Sequence, residues 1–246
     1  MHLDVFSEGK SLFHRMDPRS KVLCYGVFAV VVALSDGLRA PGNAFVLAVV
    51  MFFLSRVPLG EVLRRLFVVN LLLLPLWVLV PMDTPGSVPV VIGPYRATAE
   101  GFSEVLSITL RANAIVLSGI VMLGTSDLFS LVHALAHLGL PRKLVYLFFI
   151  FFRYLSLLHE EYLKLKRAMQ ARAFRPRTSM HTYRAYGYLI GMLVLKSYDR
   201  AENLYRAMLS RGFRGEFPLY RHFHLRGRDV VFSLVFLMAT AGVVVL

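Results

Sequence analysis

Charge is withheld from five stretches of this chain and crowded into one, and that segregation limits the fold more than any single motif does. Residues 22–35, 40–55, 66–82 and 230–246 carry no charged side chain, and 105–126 carries only Arg111. A run that crosses lipid must satisfy its backbone N–H and C=O groups internally, which an α-helix does. About 20 apolar residues span a hydrocarbon core of roughly 30 Å, and shorter runs manage where flanking Lys and Arg snorkel. The pattern predicts an all-α integral membrane protein with about five transmembrane helices. Only 17% of the 246 residues are charged, against about 25% in soluble domains. The sole cysteine, Cys24, excludes an internal disulfide and a cysteine-built metal site. Asp4, Glu8, Lys10, Arg15, Asp17 and Arg19 precede the first apolar run, so no signal peptide is expected.

The excess of basic residues has one address. Residues 142–228 hold 18 Lys and Arg against 5 Asp and Glu, which accounts for the whole net charge of +13; the remainder holds 10 of each. A segment this basic, tethered to membrane spans, belongs on the cytoplasmic side. The N-terminal flank (Lys10, Arg15, Arg19, Lys21) and the connection bearing Arg56, Arg64 and Arg65 are basic as well. The connection from residue 83 to 104 has only Arg96 beside Asp83, Glu100 and Glu104. These loops place the N-terminus in the cytoplasm and the C-terminus outside. Pro81, Pro85, Pro89 and Pro94 make the 83–104 connection an irregular outer loop. The expected localisation is the cell membrane, multi-pass, with no nucleic-acid partner.

Hydropathy alone would make residues 144–158 a sixth span. If that run crossed and 185–195 crossed back, Lys164, Lys166, Arg167, Arg172, Arg175, Arg177 and Arg184 would all lie outside, against the charge rule. Both runs are therefore read as parts of long helices at the cytoplasmic face. Pro141, in the first turn, and Pro176, past the end, bracket one helix of about 33 residues, about 50 Å long. A second runs from about Thr182 to near Gly212, which suits a left-handed C-terminal cap. Before both, residues 126–139 form a short helix with Ser126 or Asp127 as N-cap and Leu128, Leu131, Val132, Leu135 and Leu138 on one stripe, the pattern of an interfacial amphipathic helix. The chain thus divides into residues 1–124 with four transmembrane helices, a cytoplasmic region 125–216, and a basic connector with the last transmembrane helix, 217–246.

The ends of the two long helices repeat each other. Arg167-Ala168-Met169-Gln170-Ala171-Arg172-Ala173-Phe174-Arg175 matches Arg206-Ala207-Met208-Leu209-Ser210-Arg211-Gly212-Phe213-Arg214 at six of nine positions, 39 residues apart. Two copies are fewer than a stacked array needs and suggest a pair of equivalent contacts. Arg172 and Arg211 stand between small neighbours (Ala171 and Ala173, Ser210 and Gly212) that let a guanidinium enter a groove and fork onto a carboxylate. Complementing the helix dipole or holding lipid headgroups is the other reading of these arginines. Arg167 and Arg206 in the same repeats, and Arg111 inside the fourth span, are second-rank positions; a charge at that depth faces a partner, such as Glu104 two turns away, or another subunit.

At these residues the chain resembles the transmembrane (T) component of energy-coupling factor (ECF) transporters, and specifically the cobalt-type CbiQ family. Ala171-Arg172-Ala173 and Ser210-Arg211-Gly212 stand where that family has an Ala-Arg-Gly-like triplet near the end of each of two coupling helices. His14-Arg15-Met16-Asp17-Pro18-Arg19-Ser20-Lys21 is similar to its opening segment, Thr125-Ser126-Asp127-Leu128 through Gly139-Leu140-Pro141 to its amphipathic helix and turn, and Ser197-Tyr198-Asp199-Arg200-Ala201-Glu202 to a stretch of the cobalt subgroup. The first triplet departs from the family pattern in ending with Ala173. The resemblance implies a non-catalytic coupling subunit that binds two ATP-binding cassette ATPases through its coupling helices and a substrate-capture membrane protein through its apolar surface, with cobalt as cargo or, alternatively, nickel or a vitamin.

Other chemistries find little support in the sequence. Gly9-Lys10-Ser11 is the only trace of a phosphate loop, and Asp4 replaces its earlier glycine. Glu160-Glu161 resembles the paired glutamates of intramembrane prenyl-protein proteases, but Leu165 occupies the place of the required arginine; a surface carboxylate pair near Lys164 is the simpler reading. Asp36-Gly37 similarly lacks the rest of a phosphatidyltransferase motif. His133 and His137, four apart on one helix, have the spacing of a metal pair but no third ligand nearby, and are expected to lie on a polar face. His2, His222 and His224 are weaker candidates still. No metal site and no cofactor are expected.

Overall fold

The computed structural model describes Phe13 and residues 16–84, 89–92, 95–213 and 227–245. His2, Asp4, Gly9-Lys10-Ser11, His14, Arg15, Pro85, Pro94, Arg214, Glu216, His222 and His224 lie outside the described residues. The chain forms two compact units, His2–Gly139 with Phe223–Leu246, and Leu140–His222.

The first unit places a helix on each of the five apolar runs. Asp17 starts α1 (Pro18–Leu34): its carboxylate accepts from the Arg19 N–H at 2.9 Å, and Pro18 occupies the first turn, where no N–H is needed. The other spans are α2 (Arg39–Ser55), α3 (Leu59–Leu73) with α4 (Leu76–Asp83), α5 (Ala99–Met122) and α9 (Gly227–Val245). Run 66–82 is not one continuous helix: it is divided at Leu74-Pro75, because proline has no N–H to carry the ladder through. Within residues 59–83 an 18-residue window has a mean hydropathy of 2.1, yet only 6% of that window is buried within the chain. A core helix of a soluble protein is buried by its own fold; an apolar helix this uncovered requires lipid or an apolar partner around it. The protein is an all-α membrane protein.

At the centre of this unit lies α5, which packs on α1, α2, α3 and α4. The α2 face it meets has Ala40, Ala44 and Ala48 at four-residue intervals, all buried; small side chains let membrane helices approach closely. Asn70 of α3 and Asn113 of α5 exchange amide hydrogen bonds at 2.9 and 3.1 Å, a polar link between apolar helices. Two segments of the 83–104 connection pair as strands. Residues Pro89–Ile92 (β1) pair antiparallel with Tyr95–Thr98 (β2), and α5 follows at once with Thr98 as its N-cap. Both strands are edge strands, so Pro89 at the first position of β1 withholds no bond from a further partner.

Helix α6 (Leu128–His137) packs on α1 and belongs to the membrane unit by its contacts. Its buried residues are Val132, His133 and Ala134; of the apolar stripe Val132 packs, Leu128 and Leu131 are half-buried, and Leu135 and Leu138 are exposed. Asp127 is the N-cap residue but its side chain makes no capping bond.

The second unit contains α7 (Arg142–Ala171, 30 residues) and α8 (Met180–Ser210, 31 residues). Pro141 is the N-cap of α7 rather than a first-turn residue, and α8 begins two residues before Thr182, with the Ser179 hydroxyl accepting from the Thr182 N–H. Phe174, in the elbow between them, packs edge-on against Tyr186 at 5.9 Å. Farther along, Lys196 of α8 pairs with Glu161 of α7, and Lys164 lies 3.7 Å from the same carboxylate. The Lys196 ammonium holds the Glu161 carboxyl below the usual carboxylate range.

Close approach of α4 and α5 is set by Gly101, where a Cβ would stand 2.5 Å from the Pro81 Cα. Gly101→Val should destabilise the chain by about 1–3 kcal/mol through overpacking. Its melting temperature in detergent should fall, and an unchanged value would mean that α4 and α5 separate freely.

Candidate functional site

The two repeated segments end their helices with the same hydrogen bonds. In the first, the Ala173 N–H donates to the Gln170 carbonyl at 3.0 Å and the Phe174 N–H to the Met169 carbonyl at 3.1 Å. In the second, the Gly212 N–H donates to Leu209 at 2.9 Å and the Phe213 N–H to Met208 at 3.0 Å. Each is a Schellman turn with an arginine as the capping residue. It requires a left-handed residue next, and Ala173 (φ 59) and Gly212 (φ 79) both comply. The departure from the triplet pattern at Ala173 therefore leaves the turn intact. Alanine adopts this conformation against the steric resistance of its Cβ, whereas glycine has none.

The turns place Arg172 and Arg211 just beyond the last helical residue, and all of Ala171, Arg172, Ala173, Ser210, Arg211 and Gly212 are exposed. Neither guanidinium has a hydrogen bond or ion pair among the described residues. Arg167 and Arg206 differ from them: the Arg167 Nε donates to the Leu163 carbonyl at 3.3 Å, and Arg206 pairs with Glu202 on its own helix. The repeat thus holds one arginine of each pair to its own helix and leaves the other available.

Arg172 lines a 780 Å³ cleft between the end of α7 and the start of α8. Leu165, Met169, Leu189 and Met192 give it an apolar floor, and Arg175, Arg177 and His181 add positive or titratable groups; no carboxylate lines it. Such a site favours an anionic group carried on an apolar body. Arg211 sits at the far end of α8. A helix of 31 residues extends about 46 Å, so the two arginines are separated by roughly 30–40 Å along it. One compact ligand cannot reach both.

The remaining candidates are dispersed. Arg111 lies in α5 with its Nε buried and unbonded among the described residues, while Glu104, suggested as its partner, accepts instead from the Thr84 hydroxyl at 3.3 Å. The rings of His133 and His137 approach each other, Nε2 to Nε2 3.1 Å. His133 is buried, contrary to the polar-face placement, because α6 turns that side toward α1. No group of three metal-ligating side chains occurs among the described residues.

Lys21, one of the basic residues of the N-terminal flank, is buried. Its side chain is 1% exposed, and its Nζ donates to Ser126 Oγ at 2.7 Å and Thr125 Oγ1 at 3.2 Å, with the buried Asp229 acting on it through charge. A lysine in the first turn of a span, matched by a lone acid at the head of another, was the available signal.

With this geometry in view, comparison with known proteins is informative. The sequence model of the CbiQ family, described as cobalt transport protein, matches residues 9–220. An uncharacterized protein of Methanocaldococcus jannaschii is 27% identical over 239 residues, covering 94% of this chain and 81% of that one. The energy-coupling factor transporter transmembrane protein EcfT of Thermosediminibacter oceani is 28% identical over 84% of this chain and 82% of its own. EcfT of Bacillus subtilis is 27% identical over 97% and 96% respectively.

The two turns lead to an asymmetric expectation. Ala173→Gly should stabilise the end of α7 by about 0.5–1 kcal/mol, and Gly212→Ala should loosen the end of α8 by a similar amount. Hydrogen exchange of the Phe174 and Phe213 amides reads this directly; equal responses to both changes would contradict the assigned turns.

Proposed function

We propose, since the chain belongs to the CbiQ family and is a transmembrane component of an ECF transporter, that it is the subunit through which two ATP-binding cassette ATPases drive cobalt uptake. Arg172 and Arg211 are the docking residues, each entering an acidic groove on one ATPase. The reading is supported above all by the two matching helix ends, which present guanidiniums without a partner among the described residues, Arg172 at the end of α7 beside the start of α8 and Arg211 at the end of α8. Equal local geometry calls for equal receptor sites, and a separation of roughly 30–40 Å calls for two receptors. Binding ATP is left to those partners, and this chain acts without catalysis of its own.

In this reading the platform of α7 and α8 faces the cytoplasm, as its basic charge requires. The exposed apolar side chains of the platform and of α3–α4, among them Phe148, Phe151, Tyr188, Phe67 and Leu72, provide surface for the lipid bilayer and for a substrate-capture membrane protein. Cargo is selected in that second protein. Cobalt is supported by the description of the matched family, while the EcfT names of relatives leave nickel or a vitamin as the alternative.

Arg172→Glu/Arg211→Glu, co-purified in detergent with the ATPases, tests the docking role. Wild type should retain two ATPases. The reversed variant should lose them while keeping its melting temperature, since both residues are exposed. Retention by the reversed variant would overturn the docking role. Accumulation of Co²⁺ in preference to Ni²⁺ by cells expressing the complex tests the cargo.

A further inference from the structure

Lys21 occupies a particular place in the chain's connectivity. The chain leaves the membrane unit after Gly139 and re-enters it at Phe223, so the platform is joined to it by two connections. The first departs through Thr125, Ser126 and α6; the second arrives at the head of α9, where Asp229 stands. The Lys21 ammonium donates to Ser126 Oγ at 2.7 Å and to Thr125 Oγ1 at 3.2 Å on the first, and the buried Asp229 carboxylate on the second attracts it through charge. Asp229 is tied to the same helix start, its Oδ1 accepting from the Asp17 N–H at 3.3 Å. Thr125 is anchored in turn by its hydroxyl on the Val121 carbonyl at 2.7 Å. All of Asp17, Lys21, Thr125, Ser126 and Asp229 are buried.

We propose that Lys21 is a positioning residue that clamps the two connections of the platform to the head of α1, so that platform movement reaches α1 and α9 as one displacement without slack. The use of the clamp rests on the coupling reading above; its existence does not. A buried ammonium bonded to two hydroxyls, attracted by a carboxylate that is itself bonded to the head of α1, ties three separate chain segments together, and removing one charge alone takes that attraction from the other. Replacing both charges removes the attraction while leaving neither charge without the other, and neutral substitutes for a buried pair are commonly tolerated.

The test therefore uses Lys21→Met/Asp229→Asn, with Lys21→Arg as the conservative control. Spin labels are placed at two exposed positions, Tyr205 on α8 and Met238 on α9, and buried Cys24 is left in place. The interlabel distance distribution is read first on the chain alone in lipid nanodiscs, and then in the complex with ATP and vanadate. Wild type and Lys21→Arg should give narrow distributions, and the neutral pair a broadened one at an unchanged melting temperature. In the complex, the neutral pair should keep both ATPases and their ATP hydrolysis but lose about tenfold in Co²⁺ moved per ATP, the order of change expected for a broken linkage. A wild-type distribution in the folded neutral pair would overturn the clamp. Loss of ATPases from wild type would instead strike the docking reading and leave the nanodisc result decisive for the clamp.

Discussion

Two helix ends closed by the same turn determine where this molecule can be gripped. A Schellman closure fixes the direction of the chain past the last helical residue, and with it the position of the capping arginine. Because Arg172 and Arg211 are both caps, their presentation is set by backbone hydrogen bonds of 2.9–3.1 Å and not by flexible loop conformation. The left-handed residue after each arginine is thus a mechanical part. Ala173 shows that the turn is demanded strongly enough to hold an alanine in a conformation that glycine would adopt more readily.

Between those ends run two long helices. Helices of 30 and 31 residues meet at an elbow packed by Phe174, Tyr186 and His181, and are tied again by Glu161 and Lys196. The membrane unit is built differently, with α5 at the centre, small residues on the α2 face, and a reciprocal Asn70–Asn113 amide pair. A two-helix unit with much exposed apolar surface and a membrane unit organised around one central helix suit the proposed role of transmission between partners.

Much of this was legible in residue order because it depends on local pattern. Uncharged runs mark helices in lipid, and proline and glycine mark the limits of α7 and α8 within a few residues. The six-of-nine repeat singled out Arg172 and Arg211 before any coordinates. What escaped depends on pairing between distant segments. Lys21 reads as one more flank charge until Ser126 and Asp229, 105 and 208 positions away, are brought beside it. His133 reads as polar-face until α6 is laid on α1. The pairing of β1 with β2 escaped because proline at the first position of an edge strand withholds no bond from a further strand, so its presence did not argue against pairing.

The central claim is that each arginine engages a separate ATPase. Single cysteines at position 172 or 211 in the assembled complex, cross-linked to ATPase copies that are isotopically distinguishable, test it most directly. The account predicts that each position captures one copy, and that the doubly substituted chain captures two. Capture of the same single copy from both positions, or of none from either, would contradict it.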